Sequence, residues 1–213
     1  MIHAIASANS HLFENELADY FRVRHDIFVV ERGWRAVARP DGLEKDQFDT
    51  DDTVYILGIE DKRVYAGARL VPTVKPHLLS EVFPHLATTR GVPRDPGVFE
   101  WTRIFATKDK REGRNAGRTV GTVICGMLEF CLEEGICALS GVIDVWWLPR
   151  FHDMGWTVKP LGLPELVERD WVVAVVMPID EKTLRATRAF HGIEERVLVR
   201  KGLEAPVVRE LVA

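Results

Sequence analysis

The chain has 213 residues, 46% of them hydrophobic and 28% charged, and a formal net charge of −4. This length and composition are typical of a globular protein and predict one domain spanning residues 1–213. The slight acidic excess excludes wholesale nucleic-acid binding, so any basic site must be a local patch.

The sequence favours neither a secreted or membrane protein nor a metal-binding protein. The N-terminal sequence MIHAIASANS lacks the basic start and long apolar core of a signal peptide, and no uncharged stretch approaches the roughly 20 residues that cross a bilayer. Cys125, Cys131 and Cys137 lie six positions apart and form no CxxC pair. We therefore expect a cytoplasmic protein without membrane partners, with reduced core thiols and no metal site.

The first part of the chain has the pattern of a strand followed by a helix. Residues 2–6 favour a short strand, and Asn9 or Ser10 can cap the helix that follows. The segment 21–34 either extends this helix or begins a loop. Its simplest interpretation is a helix end at which long cationic side chains pack their apolar stems on the protein and keep their charges in water. Its cations and large aromatics include Arg24, Phe28 and Trp34.

Residues 35–53, the acidic loop, have few apolar side chains and contain the turn sequence Pro40-Asp41-Gly42. Such a segment is normally a solvated loop. Its length exceeds the usual limit of about 12 residues for featureless connections, so a functional lid or binding loop is the alternative.

Two strand-like runs, 53–60 and 64–73, flank a short polar turn and predict a β-hairpin. Arg69 stands among apolar residues in the second run. Because a buried arginine needs a carboxylate partner, we expect it to pair with the acidic loop.

The central unit spans residues 98–134. Its aromatic-rich start favours a strand, and apolar residues from Val120 to Cys131 recur with the spacing of an amphipathic helix. A helix that begins after a basic, glycine-bearing turn suits a phosphate ligand. The basic residues around the turn are Lys108, Lys110, Arg111, Arg114 and Arg118.

The remaining segments alternate between strand and helix patterns. We predict a strand over 138–147, a brief helix over 149–156, a buried strand over 171–179, a capped helix over 180–192 and an edge strand over 196–200. This alternation predicts an α/β sandwich in which a mixed sheet carries helices on both faces.

Eight positions share a further pattern of residue type, order and approximate spacing. They are Arg24, Phe28, Trp34, Asp46, Asp49, Arg69, Glu100 and Arg103. This pattern resembles the signature of the LuxI-type acyl-homoserine lactone synthases, and the agreement spans about residues 1–165.

The resemblance implies a three-layer fold related to the Gcn5-type N-acetyltransferases. It also implies that the α-amine of S-adenosylmethionine (SAM) is acylated, after which a lactone closes and 5′-methylthioadenosine (MTA) is released. Most family members take the acyl group from acyl carrier protein. The segments IDVWWLPRF, PLGLP and RPDG resemble a smaller branch that uses branched or aryl acyl-coenzyme A, which is the donor we expect. The alternatives are an N-acyltransferase for another amine and a non-catalytic acyl-coenzyme A sensor.

Glu100 is our candidate for the base that deprotonates the amine, and Arg103 is assigned to the same catalytic pocket. The competing interpretation of Glu100 is a strand carboxylate paired with Arg103. Strict alternation puts residues three apart on opposite faces, so a shared pocket requires a β-bulge between them. Without a bulge, Arg103 would be structural.

For SAM the resemblance implies contacts from Arg24, Phe28, Trp34, Asp46, Asp49 and Arg69. The aromatic faces suit the sulfonium or the adenine, the aspartates suit the ammonium, and Arg24 or Arg103 suits the carboxylate. An ion pair of Asp46 with Arg69 or Arg24 is an equal alternative, and we expect Arg69 to be mainly structural.

The donor's phosphates and pantetheine are assigned to Phe105, Lys108, Arg111 and Arg114, with solvated surface charge as the alternative. The acetyltransferase relatives carry a Gln/Arg-x-x-Gly-x-Gly/Ala loop, from which the sequence REGRNAGR departs. The acyl pocket is assigned to Trp101, Ser140, Val142, Trp146 and Trp147, for which ordinary core packing is the alternative. Large aromatics shorten a pocket and favour compact or flat acyl groups.

Overall fold

A nine-stranded mixed sheet forms the centre of the computed structural model, which describes residues 1–112, 116–204, 206–208 and 212. The strands are β1 (Ile2–Ile5), β2 (Val54–Glu60), β3 (Arg63–Pro72), β4 (Val98–Ala106), β5 (Ala138–Asp144), β6 (Lys159–Pro160), β7 (Glu165–Val167), β8 (Asp170–Pro178) and β9 (Leu198–Val199). Their order is β6-β8-β5-β4-β3-β2-β1-β9, and β7 forms a hairpin with β8. The short strands β6 and β7 lie outside the predicted strand segments.

Helices cover both faces of this sheet. They are α1 (Glu14–Arg24), α2 (Leu78–Glu81), α3 (Lys108–Arg111), α4 (Ala116–Glu133), α5 (Trp147–Asp153) and α6 (Glu181–His191). Alternation along β2 sends Ile56 toward the core that contains α4, and Tyr55 and Leu57 toward the core that contains α1. The predicted three-layer arrangement is confirmed.

Of the two alternatives for the segment 21–34, the structure shows the one in which the helix continues. A 3-10 turn precedes α1, and the side chain of Asn9 accepts a hydrogen bond of 2.8 Å from the N–H of Ala6. A π-helical stretch, His25–Glu31, continues α1. It is followed by the acidic loop, whose regular structure is one 3-10 turn, Arg35–Val37.

The central strand β4 contains the β-bulge that a shared catalytic pocket required. Its register against β3 runs from Gly67 opposite Phe105 to Arg69 opposite Thr102, so β4 has one extra residue between these pairs. Arg103 lies in this bulge with a φ of +56°, a left-handed conformation that is uncommon for a residue with a Cβ. A β-bulge, the feature that a pocket shared by Glu100 and Arg103 would require, is therefore present at Arg103 and Ile104.

Strands β4 and β5 pair in parallel over three residue pairs and then separate. The last pair is Glu100 with Ser140, although β4 continues to Ala106 and β5 to Asp144. A Cβ on the next residue, Gly141, would lie 2.9 Å from the carbonyl oxygen of Trp101, so only glycine fits where the strands part.

The predicted capped helix is α6. The carboxylate of Asp180 accepts the N–H of Thr183 at 2.8 Å, and Gly192 ends the helix with a φ of +63°. Cys125 and Cys131 are buried as expected, whereas Cys137 is exposed because it precedes β5 at the sheet margin. Within the described ranges, no helix is both long and apolar enough to cross a membrane.

Candidate active site

A cavity of about 450 Å³ occupies the gap between the diverging strands. Residues 101–104 of β4 and 142–144 of β5 form two of its walls. The π-helical stretch and the acidic loop close one end, and the segment around α2 closes another side. The separation of β4 from β5 thus opens the sheet at this cavity.

A network of ion pairs lies behind the wall formed by the acidic loop, and we call it the arginine–carboxylate network. Its members are Arg24 at the end of α1, Glu44, Asp46 and Asp49 in the acidic loop, Arg69 in β3 and Arg103 in β4. The three positive and three negative charges balance, which offsets the cost of removing them from water.

Two arginines of the network are completely buried. Arg24 donates to Asp49 at 2.8 and 3.1 Å and also hydrogen-bonds Glu44. Arg69 donates to Asp46 at 2.6 and 3.1 Å, and its Nη1 lies 3.0 Å from Asp49. The predicted pairing of Arg69 with the acidic loop is confirmed.

The third arginine, Arg103, reaches the cavity. It donates to Glu44 at 2.8 and 3.1 Å and to Asp46 at 2.9 Å. The side chains of Arg103 and Asp46 are 5% and 11% exposed, whereas those of Arg24, Asp49 and Arg69 are fully buried and do not line the cavity. Of the six network members, Asp46 and Arg103 line the cavity, and the other four lie behind them.

The network favours the ionised form of two of its carboxylates, Glu44 and Asp49. Burial alone would raise the pKa of Asp49, but the charges of Arg69 and Arg24 outweigh it and hold that pKa far below its usual value. Burial likewise opposes ionisation of Glu44, and its hydrogen bonds to Arg103 and Arg24 lower its pKa in spite of it.

An aromatic pair stands beside the network. The rings of Phe28 and Trp34 stack with centroids 5.0 Å apart, and both line the cavity. The guanidinium of Arg103 lies 5.5 Å from each centroid, and that of Arg32 lies 5.5 Å from Phe28 and 5.7 Å from Trp34. Both aromatic positions proposed from sequence thus lie at the cavity.

Glu100 is fully buried and is not among the residues that line the cavity. Its carboxylate accepts hydrogen bonds from the backbone N–H of Leu78 at 2.8 Å and of Leu79 at 2.6 Å. Arg103 does not pair with Glu100, because it donates to Glu44 and Asp46. Burial raises the pKa of Glu100, against the opposing influence of His77, these two N–H groups and the charge of Arg69. A raised pKa suits a proton acceptor, and the carboxylate lies directly behind Leu78, which is a cavity residue.

The apolar end of the cavity contains three of the five residues proposed for the acyl pocket, namely Trp101, Val142 and Trp147. Ser140 is buried in β5 but does not line the cavity. Trp146 is 50% exposed and stacks on the outer side of Trp147 at 4.8 Å. The sequence interpretation of Trp146 as a pocket residue is therefore corrected, because the chain turns into α5 at this point and only the second tryptophan faces inward.

Among the described residues proposed for the donor's phosphates and pantetheine, the Phe105 side chain lies apart from the two cations Lys108 and Arg111. Phe105 is in the core, where it stacks on Tyr20 at 5.9 Å, because the bulge places its side chain on the α1 face. Lys108 is exposed on α3, and Arg111 forms an ion pair with Glu31. Arg114 lies outside the described residues. The assignment of the Phe105 side chain to pantetheine is therefore corrected.

Several residues of the site were missed from the sequence. They share no single pattern, and they include Arg32, Glu44, Asp144, Phe151 and the α2 segment at Leu78, Val82 and Phe83. Glu44 carried a usable signal, since three buried arginines require a third carboxylate from the acidic loop. The α2 segment carried none, because its contact with the cavity follows from its position across β4.

Comparisons with known proteins identify the family to which the chain belongs. The model of the family described as autoinducer synthase matches residues 8–187. An isovaleryl-homoserine lactone synthase from Bradyrhizobium diazoefficiens is 50% identical over 184 residues, which cover 86% of this chain and 82% of that protein.

Solved structures give the same result. The coenzyme A-dependent acyl-homoserine lactone synthase BjaI, solved with SAM and isopentyl-coenzyme A, superposes with a TM-score of 0.92 at 45% identity, covering 99% of this chain and 98% of that one. An acyl-coenzyme A N-acyltransferase from Pseudomonas aeruginosa, with a TM-score of 0.57 at 15% identity over 83% of this chain and 97% of its own, shares the fold alone. The chain belongs to the autoinducer synthase family, as the pattern of its arginines, acids and aromatics implied.

Proposed function

We propose that this enzyme makes an N-acyl-L-homoserine lactone from SAM and a short branched acyl-coenzyme A. The observation that carries the proposal is the division of one cavity into two chemically different ends. One end combines Asp46 and Arg103 with the aromatic pair Phe28 and Trp34, whereas another part of the wall is formed by apolar side chains, namely Trp101, Val142, Trp147 and Phe151. The first suits a cationic amino-acid nucleoside, and the second suits a compact acyl chain.

The first step of the reaction joins the two substrates. The ammonium of SAM loses a proton, and the resulting amine uses its lone pair to attack the thioester carbon. The carbonyl π-electrons move to oxygen and return as the C–S bond breaks. The nitrogen gives up its second proton to the departing sulfur, which leaves an amide and coenzyme A as the free thiol. Glu100 is our candidate for the proton acceptor. Because its carboxylate is buried and does not line the cavity, we propose that the proton is transferred through a water molecule.

The bulge in β4 provides for the developing oxyanion. Arg103 and Ile104 have no cross-strand partner in β3, and both line the cavity. Backbone N–H groups that are released from a ladder can donate to an oxygen that gains negative charge.

The second step closes the ring. The carboxylate of the acylated intermediate attacks its own γ-carbon, the C–S bond to the sulfonium breaks, and the electron pair leaves with sulfur as MTA. No proton is needed in this step, so the enzyme's part is to hold the carboxylate and the γ-carbon in line.

The donor is proposed from two observations. The relative that is 50% identical over 184 residues is named for the isovaleryl product, and tryptophans limit the apolar part of the cavity to compact groups. Acyl carrier protein is the alternative source of the acyl group.

The test is to incubate purified protein with SAM and a panel of acyl-coenzyme A and acyl-carrier-protein donors, and to measure MTA, free thiol and lactone. We expect all three products, with isovaleryl-coenzyme A among the best donors. Thiol release without MTA would indicate an N-acyltransferase, and binding without either product would indicate a sensor. A preference for carrier-protein donors would reject the coenzyme A assignment while leaving the synthase class intact.

A further inference from the structure

The cavity has two cations among its described lining residues, Arg32 and Arg103, and they differ in their partners. Arg103 is bound by Glu44 and Asp46 at 2.8 to 3.1 Å. Arg32 follows the π-helical stretch and forms no ion pair with any residue in the part of the chain that the structure describes. Its charge is therefore available to a ligand, whereas the charge of Arg103 is already balanced.

Arg32 lies at the cavity wall beside the aromatic pair. Its guanidinium is 5.5 Å from the ring of Phe28 and 5.7 Å from that of Trp34, so it flanks the same aromatic pair as Arg103. These ring contacts hold the guanidinium at the cavity wall without using its hydrogen-bond donors.

The charge of Arg32 also reaches the opposite wall. Asp144 lies there on β5, where burial and the neighbouring Asp170 raise its pKa, and Arg32 acts against this rise. Asp144 and Asp170 both line the cavity. Arg32 thus projects positive charge into the cavity and not only into solvent.

We propose that Arg32 binds the carboxylate of SAM, next to Asp46, which receives the ammonium. The two groups are attached to the same carbon of the substrate, so a cation and an acid must lie side by side. Arg24 is buried behind the wall and Arg103 is neutralised, which leaves Arg32 to supply the cation. A guanidinium binds a carboxylate through two parallel hydrogen bonds and leaves it chemically unchanged for ring closure.

This inference rests on the proposed use of SAM, and its test does not depend on turnover. Arg32→Gln and the matched control Arg35→Gln are compared by calorimetric titration with SAM and with MTA. MTA lacks the amino-acid end and therefore reports the nucleoside contacts alone. Arg35 is exposed and does not line the cavity, so its replacement controls for lost surface charge.

We expect Arg32→Gln to weaken SAM binding by roughly 10- to 100-fold, the usual loss for one charge-assisted contact, and MTA binding by less than about 2-fold. Arg32→Lys should recover part of the SAM affinity. Equal weakening of both ligands would assign Arg32 to the nucleoside, and an effect limited to the KM of the acyl donor would assign it to a phosphate; either result overturns the proposal. If the unaltered protein binds neither ligand, the proposed function itself fails.

Discussion

Arg69 holds Asp46 with two hydrogen bonds, 2.6 Å from Nη1 to Oδ1 and 3.1 Å from Nη2 to Oδ2. This pair joins the acidic loop to the middle of β3. Because the same carboxylate also accepts a hydrogen bond from Arg103 at 2.9 Å, the orientation of a cavity residue depends on a side chain that has no contact with the cavity.

Replacement of Arg69 by methionine should therefore destabilise the protein strongly. The change leaves Asp46 and Asp49 with less positive charge in a buried place, and breaking one side of a buried ion pair costs roughly 3–5 kcal/mol. Urea denaturation measures the effect. The control is Arg39→Met, which breaks an exposed pair with Asp41 and should leave the midpoint nearly unchanged. Equal midpoints for both variants would contradict the structural role of the network.

The network should also make stability depend on pH in the acid range. Glu44 and Asp49 have lower pKa values in the folded protein than when unfolded, so their contribution is complete above the ordinary carboxyl range near pH 4. It is lost as the pH falls below that range toward the folded-state values. Denaturation curves at pH 7, 4 and 3 should show this fall, and Asp49→Asn should show a smaller one. An identical fall in the variant would assign the acid sensitivity to other groups.

Glu100→Gln should reduce turnover by roughly 10²- to 10⁴-fold, the usual contribution of a general base, with little change in SAM affinity. The base acts when deprotonated, and burial raises its pKa, so the activity of the unaltered enzyme should fall with decreasing pH at a midpoint above the ordinary 4.5. A pH–rate profile measures this midpoint.

A matched control separates chemistry from folding. Glu129 is also a buried carboxylate that accepts two consecutive backbone N–H groups, those of Val197 at 3.1 Å and Leu198 at 2.8 Å, but it lies on α4 away from the cavity. Glu129→Gln should lower stability and leave the turnover of folded protein unchanged. Full activity of Glu100→Gln would remove Glu100 from the role of base.

Trp147→Ala should change which acyl donor is preferred. Removal of this ring lengthens the apolar end of the cavity, so the ratio of kcat/KM for longer straight chains to that for isovaleryl-coenzyme A should rise by roughly 10-fold or more. The neighbouring change Trp146→Ala removes an exposed ring of the same size and should leave the ratio nearly unchanged. Equal effects of the two variants would argue against Trp147 as the end of the pocket.

Local sequence determined the secondary structure and much of the chemistry of this protein. The hairpin, the amphipathic α4 and the capped α6 follow from apolar periodicity and capping residues, which act between neighbours in the chain. The need of Arg69 for an acidic partner also followed from composition, since a buried charge without a counter-charge is too costly to occur in a core.

Tertiary structure decided which of these residues face a ligand. Arg24, Asp49 and Arg69 share the residue types of a binding site, yet packing buries them behind Asp46 and Arg103. Of two adjacent tryptophans, only Trp147 lines the cavity. The structure also shows that Arg24, Arg69 and Arg103 form ion pairs with the acidic loop, whereas Arg32 forms none with any described residue. The local sequence determines which secondary structures and charge pairs are energetically favourable. Whether a side chain points toward the cavity or away from it depends on strands and loops that are distant in the chain.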